Sequence, residues 1–464
     1  MVDIALFFVA GAPFVVAGVG LLVLGRPAVW VGVATLGVAV VGALVLGGSR
    51  LFGAMVGGLG TSGRVLFVLF GGLLLYNVLS AGGAIEKVSR FLGRLEPDPV
   101  ALAAGVVVGV APFFESVTGF GVAVVISAPI LLAAGFSPLK AAVLASWGQC
   151  AVPWGALGVG TVIGADLAGM GFAGLSDWSA LLSVPLFPVY GVAAVALAGG
   201  WTGVKRRGAE AVLLGLAAGA GTLGTSLFLA PELSGAVGGL VATAVFLGAR
   251  IRRVGGAPVR ALLPYAFLLA LLVGINAAGD PRSVAWVGPI LDGPGLPLLA
   301  SSVFAAALFA MGAGQFGRAV NRTARQWLPT AGAVLTFVLA GSVLADGGAA
   351  GVLASEASRF GSFYPAILPV LGAFGGALAG SNAASNALFM PLQIEAARGL
   401  GMSESLAAAS QNVSGSHASL LAPQRIVLAA TATGLVGREG EITRKALAPV
   451  VVSVLILAAI GMLG

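Results

Sequence analysis

Two polar islands interrupt this chain where its surroundings are oily, and both hold groups that bind or carry charge. The first runs from Phe113 to Gly121 and includes Glu115, Ser116, Thr118, Gly119 and Gly121; the second runs from Gly380 to Asn386 and includes Ser381, Asn382, Ser385 and Asn386. Each is followed by a further polar interruption, with Ser146, Gly148, Gln149, Pro153 and Gly155 in one case and Asn412, Ser414, Gly415, Ser416 and His417 in the other. No nucleophile stands with a base, and a single histidine with a single cysteine cannot build a zinc site unaided. Hydroxyls, amides and loosened backbone are suited to binding. A broken helix frees N–H groups at the positive end of its dipole, and these, with nearby amides and hydroxyls, favour a carboxylate. The candidate solute contacts are Ser116, Thr118, Gly119, Gly121, Ser146, Gln149, Ser381, Asn382, Ser385, Asn386, Asn412, Ser414 and Ser416. The competing reading is that these residues cement helices together.

Three ionisable residues accompany them. Glu115 is the carboxylate placed at an island, and burial penalises its charged form, which makes it a candidate proton carrier. It could instead cap the next helical turn or pair with a base. His417 titrates near neutrality when free and is a second candidate relay, or a packing residue that hydrogen-bonds the hairpin. Arg425 falls inside an apolar run, where it neutralises Glu115, meets a substrate carboxylate, or snorkels.

These groups require a membrane fold to position them. The chain has 464 residues, 58% hydrophobic and 9% charged, with a mean hydropathy of +1.06, whereas soluble domains carry about 25% charged residues. The fold class is therefore all-α and polytopic. No phosphate loop with Lys and Ser/Thr is present, so direct ATP use is not expected; no cofactor or nucleic-acid partner is expected either. The first apolar run has Asp3 in place of a basic leader, and it reads as a span and not as a signal peptide.

A crossing helix needs about 20 apolar residues. On that ruler about twelve spans fall near 4–24, 28–47, 64–82, 140–165, 179–200, 209–229, 233–249, 259–278, 296–314, 327–345, 404–433 and 445–463. Segments 99–137 and 362–401 are each split by an island into two short arms, which predicts two re-entrant hairpins. The helices that follow them are expected to break, the first around Pro153 and the second more softly at Gly415. With the N-terminus outside, most bases lie inside, including Lys87, Arg90, Arg94, Lys140, Lys205–Arg207, Arg250, Arg252 and Arg253; Arg50, Arg64, Arg282, Arg359 and Arg398 lie outside. The hairpins then enter from opposite faces, as in an inverted repeat. A gapless register sets Ser116 against Asn382, Gly119 against Ser385, Gly135 against Gly401, Ser137 against Ser403 and Ser146 against Asn412. The parts are residues 1–95 as N-terminal scaffold, 96–200 as the first repeat, 201–325 as central scaffold and 326–464 as the second repeat.

The segments Phe114 to Val124, Ala134 to Leu139, Gly380 to Phe389, Ala422-Pro423-Gln424 and Ala432 to Glu441 resemble the L-lactate permease family. That resemblance implies a cell-membrane transporter for lactate and related 2-hydroxy monocarboxylates such as glycolate. It also implies proton symport, an elevator motion, and a site at residues 115–121, 381–386 and the broken helices. Two departures stand out: Asn382 where the family commonly has an acid, and Arg425 where it has a small polar residue. The expected function is a proton-coupled monocarboxylate carrier in the lipid bilayer, with a homo-oligomer left open. The alternatives are a sodium-coupled carrier of another organic anion and, from another class, an anion channel.

Overall fold

In the computed structural model, the described residues are 4–96, 98–119, 121–248, 250, 258–277 and 293–463. Arg252, Arg253, Arg282 and Phe120 lie outside them, as does the side chain of Arg94. Among the described residues every regular element is helical. Ten helices among the described residues are long and apolar enough to cross a membrane, eleven if the bent pair Pro138–Trp147 and Val152–Ala168 is one span. Large apolar side chains such as Phe8, Trp30 and Phe52 are exposed, as lipid demands, while an apolar core encloses the buried polar residues Glu115, Asn386 and Asn412.

The islands do break helices, but later than the residue types suggest. Ser116 and Thr118 stay helical, and the first arm runs from Pro99 to Thr118 with a π-helical turn at Val106–Val110. At 20 residues it is a full span in length, not a short arm. The turn comes at Gly119 and Gly121, with φ of 69° and 77°, a conformation in which a Cβ would be strained; the second arm is Val122–Ala133. The second hairpin pairs Tyr364–Ala379 with Asn382–Gly399 across Gly380 and Ser381.

Caps explain where the following helices begin. Ser137 accepts from the Lys140 N–H with Pro138 in the first turn, and Ser403 accepts from the Leu406 N–H. Gly135 and Gly401, two residues ahead of these caps, both have positive φ, so the register between the halves holds here. It slips at the tips, because Gly119 is a turn whereas Ser385 lies inside a helix. The second broken helix parts at Ser419–Leu421, with Pro423 opening the next helix, and not at Gly415. Gly415 stays helical, and its smallness serves packing: a Cβ on it would lie 2.6 Å from Ser385 Oγ and 3.2 Å from the Gly372 carbonyl oxygen, and Gly376 lies against its backbone.

Two helices outrun their expected spans: Leu51–Ala81 has 31 residues and Ala313–Asp346 has 34, so the boundary drawn at 325/326 falls inside a helix. Leu186–Phe228 folds back at Gly200, whose φ of 62° and ψ of −156° are not helical, so that a Cβ on Gly191 would meet Ala211 and one on Gly215 would meet Pro188; Lys205–Arg207 stand on the second of its two arms. Phe172–Ser183 is a separate helix before the kinked one. Leu51–Ala81 and Ala313–Asp346 pack along each other and take Ala28–Val45 and Gly295–Leu308 against their flanks. This bundle flanks the hairpins and broken helices.

Candidate functional site

The second hairpin starts its inner arm with Asn382, and one helical turn later Asn386 shares that face. Both amides donate to Asn412 Oδ1, each at 2.8 Å, and Asn386 also donates to the Gly160 carbonyl at 2.9 Å. Asn412 Nδ2 donates in turn to Ser179 Oγ at 2.8 Å and Thr161 Oγ1 at 3.1 Å. Asn412 thus ties the second hairpin to the first broken helix and to Phe172–Ser183. The fit is close, since a Cβ on Gly160 would meet Asn382 and one on Gly164 would meet Asn386.

A second chain of amides continues from this crossing. Gln411 donates to Ser385 Oγ at 3.2 Å, Gln393 to Gln411 Oε1 at 3.2 Å, and the Tyr364 hydroxyl to Gln393 Oε1 at 2.6 Å. Buried polar groups are normally satisfied, yet Asn382 Oδ1 and Asn386 Oδ1 are buried without a partner among the described residues. Both oxygens belong to the amides whose nitrogens meet Asn412.

The first hairpin builds a charged centre. Glu115 accepts from the Gly121 and Ala123 N–H groups at 3.3 and 3.4 Å, which caps the helix Val122–Ala133. Arg425 Nη1 sits 3.0 Å from Glu115 Oε1 and also donates to Gln149 Oε1. Arg425 Nε donates to the Gly380 carbonyl at 3.0 Å. Glu115 therefore both caps a helix and pairs with a base, and Arg425 touches both hairpin tips. Beside them Ala156 and Leu157 have φ of 50° and 56°, a left-handed stretch that non-glycine residues adopt only under constraint.

The other candidates stand apart from these two centres. Thr118, Ser146 and Ser414 spend their hydroxyls on carbonyls of their own helices, at Phe114, Ala142 and Gln411. Ser116 and Ser416 are buried with hydroxyls that have no partner among the described residues, and Ser116 faces Gly235. Ser381 starts its helix without a side-chain cap. His417 Nδ1 meets the Tyr190 hydroxyl at 3.0 Å and does not bond to the hairpin. Sequence reasoning missed Thr161, Ser179, Gln393 and Gln411. Gln411 alone carried a signal, since it adjoins Asn412.

A cavity of about 580 Å³ lies between the long helices and the second hairpin, lined by Thr61, Arg64, Asp166, Glu395 and Arg398 among others. At its rim Arg64 Nη2 is 2.7 Å from Asp166 Oδ2, linking a bundle helix to the first broken helix.

A polytopic helical membrane protein whose hairpins and broken helices meet in a buried polar crossing belongs to the class of solute transporters. Residues 6–252 and 261–463 match the family model described as L-lactate permease. The chain belongs to the L-lactate permease family, and it is a multi-pass membrane transport protein, not an enzyme. It is 25% identical to an L-lactate permease of Streptococcus iniae over 73% of this chain and 78% of that one. It is also 25% identical to the glycolate permease GlcA of Escherichia coli strain K12 over 82% and 80% of the respective chains. The YdaH transporter of Alcanivorax borkumensis, whose crystal structure is described as having an unusual topology, matches with a TM-score of 0.50 and 16% identity over 89% of this chain and 87% of that one. That likeness is one of fold.

Proposed function

We propose that this protein is a secondary active transporter of L-lactate and related 2-hydroxy monocarboxylates such as glycolate, driven by the proton gradient. The observation that carries the reading is that each hairpin tip meets the broken helix of the other half in a polar centre within the protein. Arg425 and the opened helix ends supply donors for a carboxylate, and the unpartnered oxygens of Asn382 and Asn386 supply acceptors for a 2-hydroxyl group. The substrates named for the relatives match that pairing of groups. Each tip faces the broken helix of the other half, Glu115 meeting Arg425 and Asn382 meeting Gly160. This reciprocity supports an inverted repeat with hairpins entering from opposite faces. The hairpins and broken helices would then move together against the bundle of long helices, as an elevator.

A second reading is favoured by the same two oxygens. Amide carbonyls suit a hard cation, so sodium is the rival coupling ion. Uptake of labelled L-lactate, glycolate and pyruvate into proteoliposomes separates the two. Accumulation with an inward proton gradient and none with a sodium gradient is expected; accumulation driven by sodium alone would transfer the coupling to sodium. Absence of uptake of any of the three acids would refute the substrate class.

A further inference from the structure

Glu115 and Arg425 form an ion pair within the protein. A buried ion pair is seldom a net source of stability, because desolvating both charges offsets their attraction. The cap on Val122–Ala133 needs only the carboxyl oxygens of Glu115, and the junction to Gly380 needs only Arg425 Nε. What remains is a guanidinium fork facing a carboxylate. Nη1 is taken by Glu115 and Gln149, whereas no described residue accepts from Nη2. The side chain of Glu115 is 0% exposed and that of Arg425 is 11% exposed.

We propose that Arg425 is the carboxylate-binding residue of the transporter, and that Glu115 occupies it as an exchangeable counter-ion until a proton releases it. This rests on the monocarboxylate reading above and names the residue that would recognise the anion. The exchange balances. Ionised Glu115 takes one proton from the aqueous phase and becomes a neutral carboxylic acid, its ion pair with Nη1 opens, and the substrate carboxylate closes a two-pronged pair on Nη1 and Nη2. The net charge of the centre is zero before and after, with one proton and one monocarboxylate bound together. A protonated carboxyl still accepts hydrogen bonds, so the cap from Gly121 and Ala123 survives the exchange. Substrate arriving without the proton would place two anions on one guanidinium, which is disfavoured.

The surroundings leave this exchange to Arg425. Val122–Ala133 and Ser234–Gly248, packed on the arm that carries Glu115, have no ionisable side chains. Lys140 donates to the Ala198 carbonyl, Asp166 is held by Thr61 and Arg64, and Cys150 contacts the Val107 carbonyl. Tyr76 and Arg64 lie on Leu51–Ala81, and the Tyr265 ring packs on Phe114. None of these is bonded to Glu115 among the described residues.

The test uses the full chain in proteoliposomes and reads binding and uptake of labelled L-lactate across mildly acidic to mildly alkaline pH. Wild-type affinity should fall with rising pH, by up to about tenfold per unit if one proton is bound with each anion. Glu115→Gln should abolish that dependence and the accumulation driven by a pH gradient. The double variant Glu115→Gln with Arg425→Gln removes the pair as two neutral amides and avoids an unpaired buried charge; it should elute as folded protein yet bind about 10- to 100-fold more weakly. A folded double variant with wild-type affinity, or Glu115→Gln that keeps the wild-type pH dependence, overturns the proposal while leaving the transport reading intact. A wild type that neither binds nor takes up lactate or glycolate overturns both.

Discussion

Asn412 is the residue whose loss should be felt most widely. Its side chain accepts from Asn382 and Asn386 and donates to Ser179 and Thr161, so four helix-to-helix hydrogen bonds depend on one amide. Such bonds within membranes average about 0.6 kcal/mol and reach about 1.7, which puts the direct loss in Asn412→Ala at roughly 2.5 kcal/mol. Asn382 Nδ2 has no other acceptor among the described residues, and stranding a buried donor adds about 1–3 kcal/mol. The expected destabilisation is therefore roughly 3–5 kcal/mol, with lactate affinity lowered at least about tenfold as the second hairpin loses its seat on the first broken helix. Ser414→Ala, two residues away, removes only a bond to its own helix and should cost less than about 1 kcal/mol. Melting in detergent and lactate binding, measured on both variants, decide the matter. If Asn412→Ala melts with Ser414→Ala and binds like the wild type, the network does not hold the crossing.

Three further outcomes are expected. Gly376→Ala should abolish folded protein, because its Cβ would fall 1.9 Å from the Gly415 carbonyl oxygen, a clash with backbone that no side-chain rotation relieves; recovery of normal yield and melting would count against the close packing. Single cysteines at Lys87 and Arg359, in a background without Cys150, should react with an impermeant thiol reagent from opposite sides of the membrane, and labelling of both from one side would remove the inverted repeat. Asp166→Asn breaks the half-exposed pair with Arg64 and should cost no more than about 1 kcal/mol of stability. Its effect should appear instead in the rate of lactate exchange, since the pair spans the parts proposed to slide; an unchanged rate would show that it is no latch.

The helical hairpins were legible because their tips announce themselves: Gly119 and Gly121 flank an aromatic, and Gly380 precedes a run of amides and serines. The site was legible in its residue types and less so in its wiring. Glu115 and Arg425 are 310 positions apart, and the sequence offered a salt bridge as one of three fates for Arg425 without choosing among them. Gly415 misled because glycine loosens a helix and also lets two helices touch, and only the fold shows that Gly376 claims it for the second use. Thr161 and Ser179 stayed hidden for a different reason. Thr161 shares its helix with Asp166, and Ser179 stands among Ser176, Asp177 and Ser183, so neither is singled out until Asn412, 251 and 233 residues away, meets them. The first half of Ala313–Asp346 was overlooked because its Arg318, Arg322 and Arg325 suppress hydropathy, although they ride on an unbroken helix.

The central claim is that this chain carries lactate-class hydroxy acids by alternating exposure of one site, and trans-acceleration tests it most directly. Proteoliposomes containing the purified protein are loaded with unlabelled L-lactate, and the initial influx of labelled L-lactate is compared with that into vesicles loaded with an unrelated anion. A carrier returns faster when loaded, so internal lactate and glycolate should speed influx; influx indifferent to what lies inside would contradict the account and point to a pore.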